Sequence, residues 1–153
     1  MDLIRPAVDG TLSALRACRK HKVKRVVVTS SVAAIEDTHP DKSPEDDTWN
    51  ESHWSDPDRP EGMSAYAKSK VLAEKAAWEY QASIPEDERF ELSVINPSFV
   101  LGPTNVGGSF ASGDFIGQLM MNKLPAIPKV SLTCVDVRNV AQAHAKALMT
   151  DEA

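Results

Sequence analysis

At 153 residues, with 42% hydrophobic and 25% charged side chains, the chain is long enough for one domain with a buried core and too apolar to be disordered. Its formal charge of -5 argues against nonspecific nucleic-acid binding, which needs basic patches to release counterions. No apolar run reaches membrane-spanning length and the first residues lack the apolar core of a signal peptide, so a soluble, cytoplasmic protein with no membrane partner is expected.

Asp2 is placed to cap a helix from Leu3 to about Lys20, in which Ile4, Val8, Leu12, Leu15 and Cys18 recur at helical spacing. After the basic turn His21-Lys22-Val23-Lys24-Arg25 comes Val26-Val27-Val28-Thr29-Ser30-Ser31. A β-branched run without polar alternation reads as a strand of a parallel sheet, buried on both faces by helices. Its closing hydroxyls then stand at the carboxyl edge of the sheet, where ligands bind in open α/β folds. Cys18 and Cys134 form no Cys-x-x-Cys pair and are read as free, buried thiols.

Residues 36–61 hold ten acidic residues against Lys42 and Arg59, with four prolines and the tryptophans Trp49 and Trp54. This acidic loop is either a solvated excursion or a flap beside a binding site. Asp46 and Asp47 lack the ligand spacing of a calcium loop, and no metal site is expected.

A helix follows from about Ser64 to Tyr80, with Ser69, Ala73, Ala76, Ala77 and Tyr80 on a small-residue face. Its opening, Ser64-Ala65-Tyr66-Ala67-Lys68-Ser69-Lys70, sets Tyr66 and Lys70 one turn apart on one face. A phenol of pKa about 10 is a poor acid or base at neutral pH, and a neighbouring ammonium favours its phenolate. The pair is therefore a candidate acid–base unit.

Phe90 to Ile95 reads as a second strand, and strand, helix, strand in this order makes a right-handed crossover of a parallel sheet. It runs on into Asn96-Pro97-Ser98-Phe99-Val100-Leu101-Gly102-Pro103. Gly107-Gly108-Ser109 lacks the strand and spacing of a nucleotide-binding glycine motif and reads as a flexible loop. A short helix near Ser112 to Asn122, a short strand over Ser131 to Val135 and a helix capped by Asp136 complete the chain. His144, on the apolar stripe of that last helix, reads as a packed residue.

With these motifs in this order the chain resembles the extended short-chain dehydrogenase/reductase superfamily, the NAD-dependent epimerase/dehydratase family. Within it the resemblance is to the dihydroflavonol-reductase-like branch, which includes cinnamoyl-CoA reductases and yeast-type ketone and methylglyoxal reductases. The stretches that carry it are Leu-Ile-Arg-Pro-Ala-Val-Asp-Gly-Thr-Leu, Val-Val-Val-Thr-Ser-Ser, Ala-Tyr-Ala-Lys-Ser-Lys, Leu-Ser-Val-Ile-Asn-Pro-Ser-Phe-Val-Leu-Gly-Pro and Val-Asp-Val-Arg-Asn-Val-Ala. The resemblance implies an NADP-dependent (or NAD-dependent) reductase that passes hydride to the carbonyl of a small aldehyde, ketone or flavonoid-like molecule. Ser31 would hydrogen-bond that carbonyl, Tyr66 would donate the proton, and Lys70 would bind the nicotinamide ribose and lower the tyrosine pKa. Ser30, Asn96, Pro97 and Ser98, with Tyr66 and Lys70, would contact the cofactor.

The implied fold is α/β, a partial Rossmann-like doubly wound parallel sheet comprising the catalytic half. Residues 1–153 would be the carboxyl-terminal part of that NAD(P)-binding domain with the beginning of the substrate region. The Gly-x-x-Gly-x-x-Gly turn that holds the pyrophosphate in this family occurs nowhere in the sequence. The chain is accordingly expected to be a fragment of a longer reductase, with the Val26–Val28 strand exposed on one edge. It is expected to give neither stable dinucleotide binding nor turnover by itself.

Three alternatives share parts of this pattern. Sugar-nucleotide epimerases or dehydratases and 3β-hydroxysteroid dehydrogenases share the serine, tyrosine and lysine, but tend to carry arginine where this chain has Asn96. Cinnamoyl-CoA reductases proper carry an Asn-Trp pair before the tyrosine, where this chain has Met63-Ser64-Ala65. A non-catalytic interaction module would use the open sheet edge, but would have no chemical need for Ser31, Tyr66 and Lys70 together. Oligomeric state is not legible.

Overall fold

The structure, a computed structural model, describes residues 2–36, 48–58, 63–104, 110–126 and 132–151. Helix α1 spans Ile4–Lys20, and the Asp2 carboxylate accepts from the backbone N–H groups of Ile4 and Arg5 at 3.1 and 3.3 Å, as its position predicts. The helix closes on Lys22, whose φ of 54° is left-handed, with the Val23 N–H donating back to the Cys18 carbonyl at 3.0 Å. That reversal feeds strand β1 (Arg25–Thr29). A single 3-10 turn, Val32–Ala34, follows, and then α2 (Ala65–Ser83) and β2 (Glu91–Ile95).

β1 and β2 pair in parallel, with Val26 opposite Leu92 and Val28 opposite Val94. Side chains alternate across a strand, so these four point to one face. There they pack against Leu15 of α1, Ala77 of α2, Ile84 and Phe90, which form the core. The opposite face is met by α4 (Val137–Met149): Arg25 Nη1 donates to the Leu148 carbonyl at 2.9 Å, and Thr29 Oγ1 lies 2.7 Å from His144 Nε2. Helices thus cover both faces of the ladder, the doubly wound arrangement expected.

Burial of β1 is less complete than its run of valines implies. Val26, Val27 and Val28 are half-buried and Thr29 is exposed, because β2 is the one strand that pairs with β1 among the described residues. Cys18 and Cys134 are free, as expected, but not buried. Cys134 is exposed on a strand paired on one side only among the described residues, and Cys18 is half-buried near the end of α1.

The chain beyond Ile95 departs from the sequence reading. Phe99–Leu101 is a separate strand, β3, which pairs in parallel with β4 (Cys134–Asp136) in a second two-stranded sheet. Pro97 has no N–H to continue a ladder, and the chain changes partner there. Gly102, at φ +137°, ends β3 where a Cβ would stand 2.8 Å from Val137 Cγ1. Helix α3 (Ala111–Met120) lies against β3, with the Phe99 and Phe115 rings edge to face at 5.8 Å. Asp136 caps α4, its Oδ1 accepting from the Arg138 N–H at 2.8 Å. His144 donates through Nδ1 to the Val140 carbonyl at 2.8 Å, which leaves Nε2 to accept from Thr29 and makes it a packing residue, as its stripe implied.

Residues 37–47 and 59–61 of the acidic loop, with Asp46 and Asp47, and the Gly107-Gly108-Ser109 stretch lie outside the described residues. Residues 48–58 contain neither helix nor strand. Among the described residues no helix is long and apolar enough to cross a membrane, and no cluster of metal-ligating side chains occurs.

Candidate active site

The site grows from the carboxyl end of β1. The ladder runs one bond past the strand, with the Ser30 N–H donating to the Ile95 carbonyl at 2.8 Å, and the Val32 N–H then reaches the Pro97 carbonyl at 3.1 Å. Ser31, in extended conformation, caps the 3-10 turn: its Oγ accepts from the Ala33 N–H at 3.2 Å. That use of the oxygen lone pair leaves the hydroxyl hydrogen to donate into the adjoining cleft.

Tyr66 enters that cleft from α2. Ser64 caps the helix by accepting from the Ala67 N–H at 3.0 Å, and Ser69 Oγ donates to the Tyr66 carbonyl at 2.6 Å, so the first turn is held at both ends. The Tyr66 side chain is half exposed, and Lys70 Nζ lies 5.7 Å from the centre of its ring. The spacing argument for a tyrosine–lysine pair is realised in space. A cleft of about 680 Å³ is lined by Ser31, Tyr66 and Ser98, together with Trp49 and Thr133. A second, of about 620 Å³, shares Ser98, Trp49 and Thr133 and adds Asn96, Pro97 and the Asn139 and Val140 side of α4.

Of the residues singled out from sequence, Ser31, Tyr66 and Ser98 meet in one cleft, Asn96 and Pro97 in its neighbour, and Lys70 stands beside Tyr66. Ser30 lines neither. It is buried, and among the described residues its Oγ has no hydrogen-bond partner. Of the aromatic residues flanking the site, Trp49 lines both clefts, whereas Trp54 lies under Lys75 Nζ at 5.3 Å. Sequence reasoning passed over Glu74, a buried carboxylate that accepts from Asn96 Nδ2 at 2.8 Å. The signal was available, since Glu74 continues the four-residue spacing of Tyr66 and Lys70.

The sequence pattern that defines the NAD dependent epimerase/dehydratase family matches residues 1–153. The chain belongs to that family. Members similar to it include the NADPH-dependent methylglyoxal reductase of Saccharomyces cerevisiae, 36% identical over 99% of this chain and 48% of the relative. Cinnamoyl-CoA reductase 1 of Arabidopsis thaliana is 35% identical over 93% of this chain and 40% of its own length. The crystal structure of the yeast methylglyoxal/isovaleraldehyde reductase complexed with NADPH superposes with a TM-score of 0.81 at 35% identity, covering 97% of this chain and 47% of that one. The chain spans about half the length of the relatives it matches. As a member of the epimerase/dehydratase family it has the Rossmann-type α/β fold read from its strands.

Proposed function

We propose that residues 1–153 carry the catalytic half of an NADPH-dependent carbonyl reductase acting on small aldehydes or ketones, as carboxyl-terminal part of its dinucleotide-binding domain with the start of the substrate region. The observation that carries the reading is the meeting of Ser31 and Tyr66 on one cleft with Lys70 one turn behind the tyrosine. Similarity to reductases whose names specify NADPH supports the choice of cofactor.

The residues present fit the nicotinamide end of such a cofactor. Asn96, Pro97 and Ser98 line a cleft contiguous with that of Ser31 and Tyr66, and the buried, unpartnered Ser30 hydroxyl stands at the same sheet edge. When bound, NADPH would supply the hydride. The Ser31 hydroxyl donates to the substrate carbonyl oxygen and orients it. The Tyr66 phenol delivers the proton to that oxygen as negative charge develops there, and Lys70 stabilises the phenolate left behind. In the reverse direction the phenolate accepts the proton from an alcohol. Free thiols, one of them exposed, accord with a reducing, cytoplasmic setting, which is part of the same proposal.

The test is NADPH oxidation in the presence of methylglyoxal or isovaleraldehyde by the polypeptide that contains this sequence at its natural length. Turnover that disappears in Tyr66→Phe and falls in Ser31→Ala supports the reading. Undiminished turnover in Tyr66→Phe would overturn it.

A further inference from the structure

Glu74 is only 7% exposed, sits on the helix that carries Tyr66 and Lys70, and has no place in the proton transfer just described. Residues at positions i, i+4 and i+8 of a helix lie along one stripe, so Tyr66, Lys70 and Glu74 form a row that runs from the cleft into the interior. At its inner end Asn96 Nδ2 donates to Glu74 Oε2 at 2.8 Å and to the Ser31 carbonyl at 3.2 Å. One amide nitrogen thereby ties the helix that carries the proton donor to the backbone of the serine that faces it.

We infer that Glu74 is a positioning residue, which through Asn96 fixes the Ser31 backbone against α2 and so sets the separation of the Ser31 and Tyr66 hydroxyls. The catalytic significance of that separation rests on the reductase reading; the bridge does not. Ser31 needs such a tie. It lies past the end of β1, flanked by the bonds from the Ser30 and Val32 N–H groups, but its own carbonyl accepts within the 3-10 turn and not from β2. A buried carboxylate is costly to leave without a donor, and Asn96 supplies one. The Ser31 carbonyl in turn accepts from both Asn96 and the Ala34 N–H, at 3.2 and 2.9 Å, which uses both its lone pairs.

The bridge is read by NMR on the natural-length polypeptide, through hydrogen exchange of the Asn96 side-chain amide and the chemical shift of the Ser31 carbonyl carbon. Glu74→Leu and the milder Glu74→Asp, one methylene too short to reach Asn96, are each expected to speed Asn96 amide exchange about tenfold, the loss of one charge-assisted hydrogen bond, and to move the Ser31 signal. Glu74→Gln retains an acceptor oxygen and is expected to restore both signals, a rescue that mere filling of space would not give. Should Glu74→Leu fail to fold, the Asp and Gln variants carry the comparison.

Ser31 and Asn96 signals indifferent to Glu74→Asp would overturn the inference. Turnover by the natural-length polypeptide is a separate readout. Signals that answer to Glu74, in a protein that does not reduce methylglyoxal, would count against the reductase reading and leave the bridge standing.

Discussion

Lys70 Nζ stands 5.7 Å from the centre of the Tyr66 ring, one turn along a helix whose first turn is pinned by Ser64 and Ser69. The proposed reaction gives that pair its work, with Tyr66 as the proton donor and Lys70 beside it. Under the proposed reductase function, Tyr66→Phe in the natural-length polypeptide is expected to lower carbonyl reduction by about a hundredfold or more, the span typical of a lost general acid, with little change in NADPH affinity. Lys70→Met is expected to lower both. NADPH-oxidation kinetics with a fluorescence titration of cofactor binding separate the two effects.

Asp136 links the second sheet to α4, and the Arg138 guanidinium and backbone N–H hold its carboxyl down to about 2, against an ordinary 3.8. A carboxylate whose folded value lies below its unfolded one contributes stability above the ordinary value and loses it as pH falls toward the folded one. The contribution of Asp136 should fade between about pH 4 and pH 2. Asp136→Asn keeps a capping oxygen but removes the charge. The difference in melting temperature between the two proteins is expected to be present at pH 6 and to vanish by about pH 2.

Leu15 is the residue of α1 that is fully buried, packed in the cluster with Ala77, Ile84, Phe90 and Leu92. Leu15→Ala removes three carbons from the place where α1, α2 and the ladder meet and is expected to cost about 3 kcal/mol. Urea unfolding measures it, and a loss under about 1 kcal/mol would show that the helices close over the gap.

Gly102 adopts φ +137° and has Val137 Cγ1 where a Cβ would need room. Gly102→Ala meets backbone strain and a side-chain clash at once, for an expected loss of about 1–3 kcal/mol. Urea unfolding should show it, accompanied by faster hydrogen exchange in β4 and the first turn of α4.

What the sequence made legible was local or periodic. Asp2 and Asp136 announced two helix starts because a side-chain cap is a contact between near neighbours, and each accepts a backbone N–H there. The valines of β1 signalled a strand through their branching. β3 was not legible: three residues are too few for a period, and its partner lies 35 positions away, at Cys134 for Phe99. The tyrosine–lysine pair could be read because one helix holds both members. Glu74 escaped notice because a glutamate on a helix is ordinarily solvated, and its partner Asn96 lies 22 positions on, just past the end of β2.

The parallel ladder sets Arg25 beside Glu91, 66 positions along the chain, and the two side chains pair across it. Contacts of such separation require a long loop to close before the pairing repays it, so this topology folds more slowly than a helical bundle of similar size. The acidic excursion lies within that loop, as does all of α2. Tyr66 and Lys70 can meet as soon as one helical turn forms, on the timescale of helix growth, whereas Ser31 joins them only when β1 finds β2. Assembly of the site should therefore report the slow step of folding: a probe at Ser31 would follow the same rate as the core, and a probe on the Tyr66–Lys70 turn a much faster one.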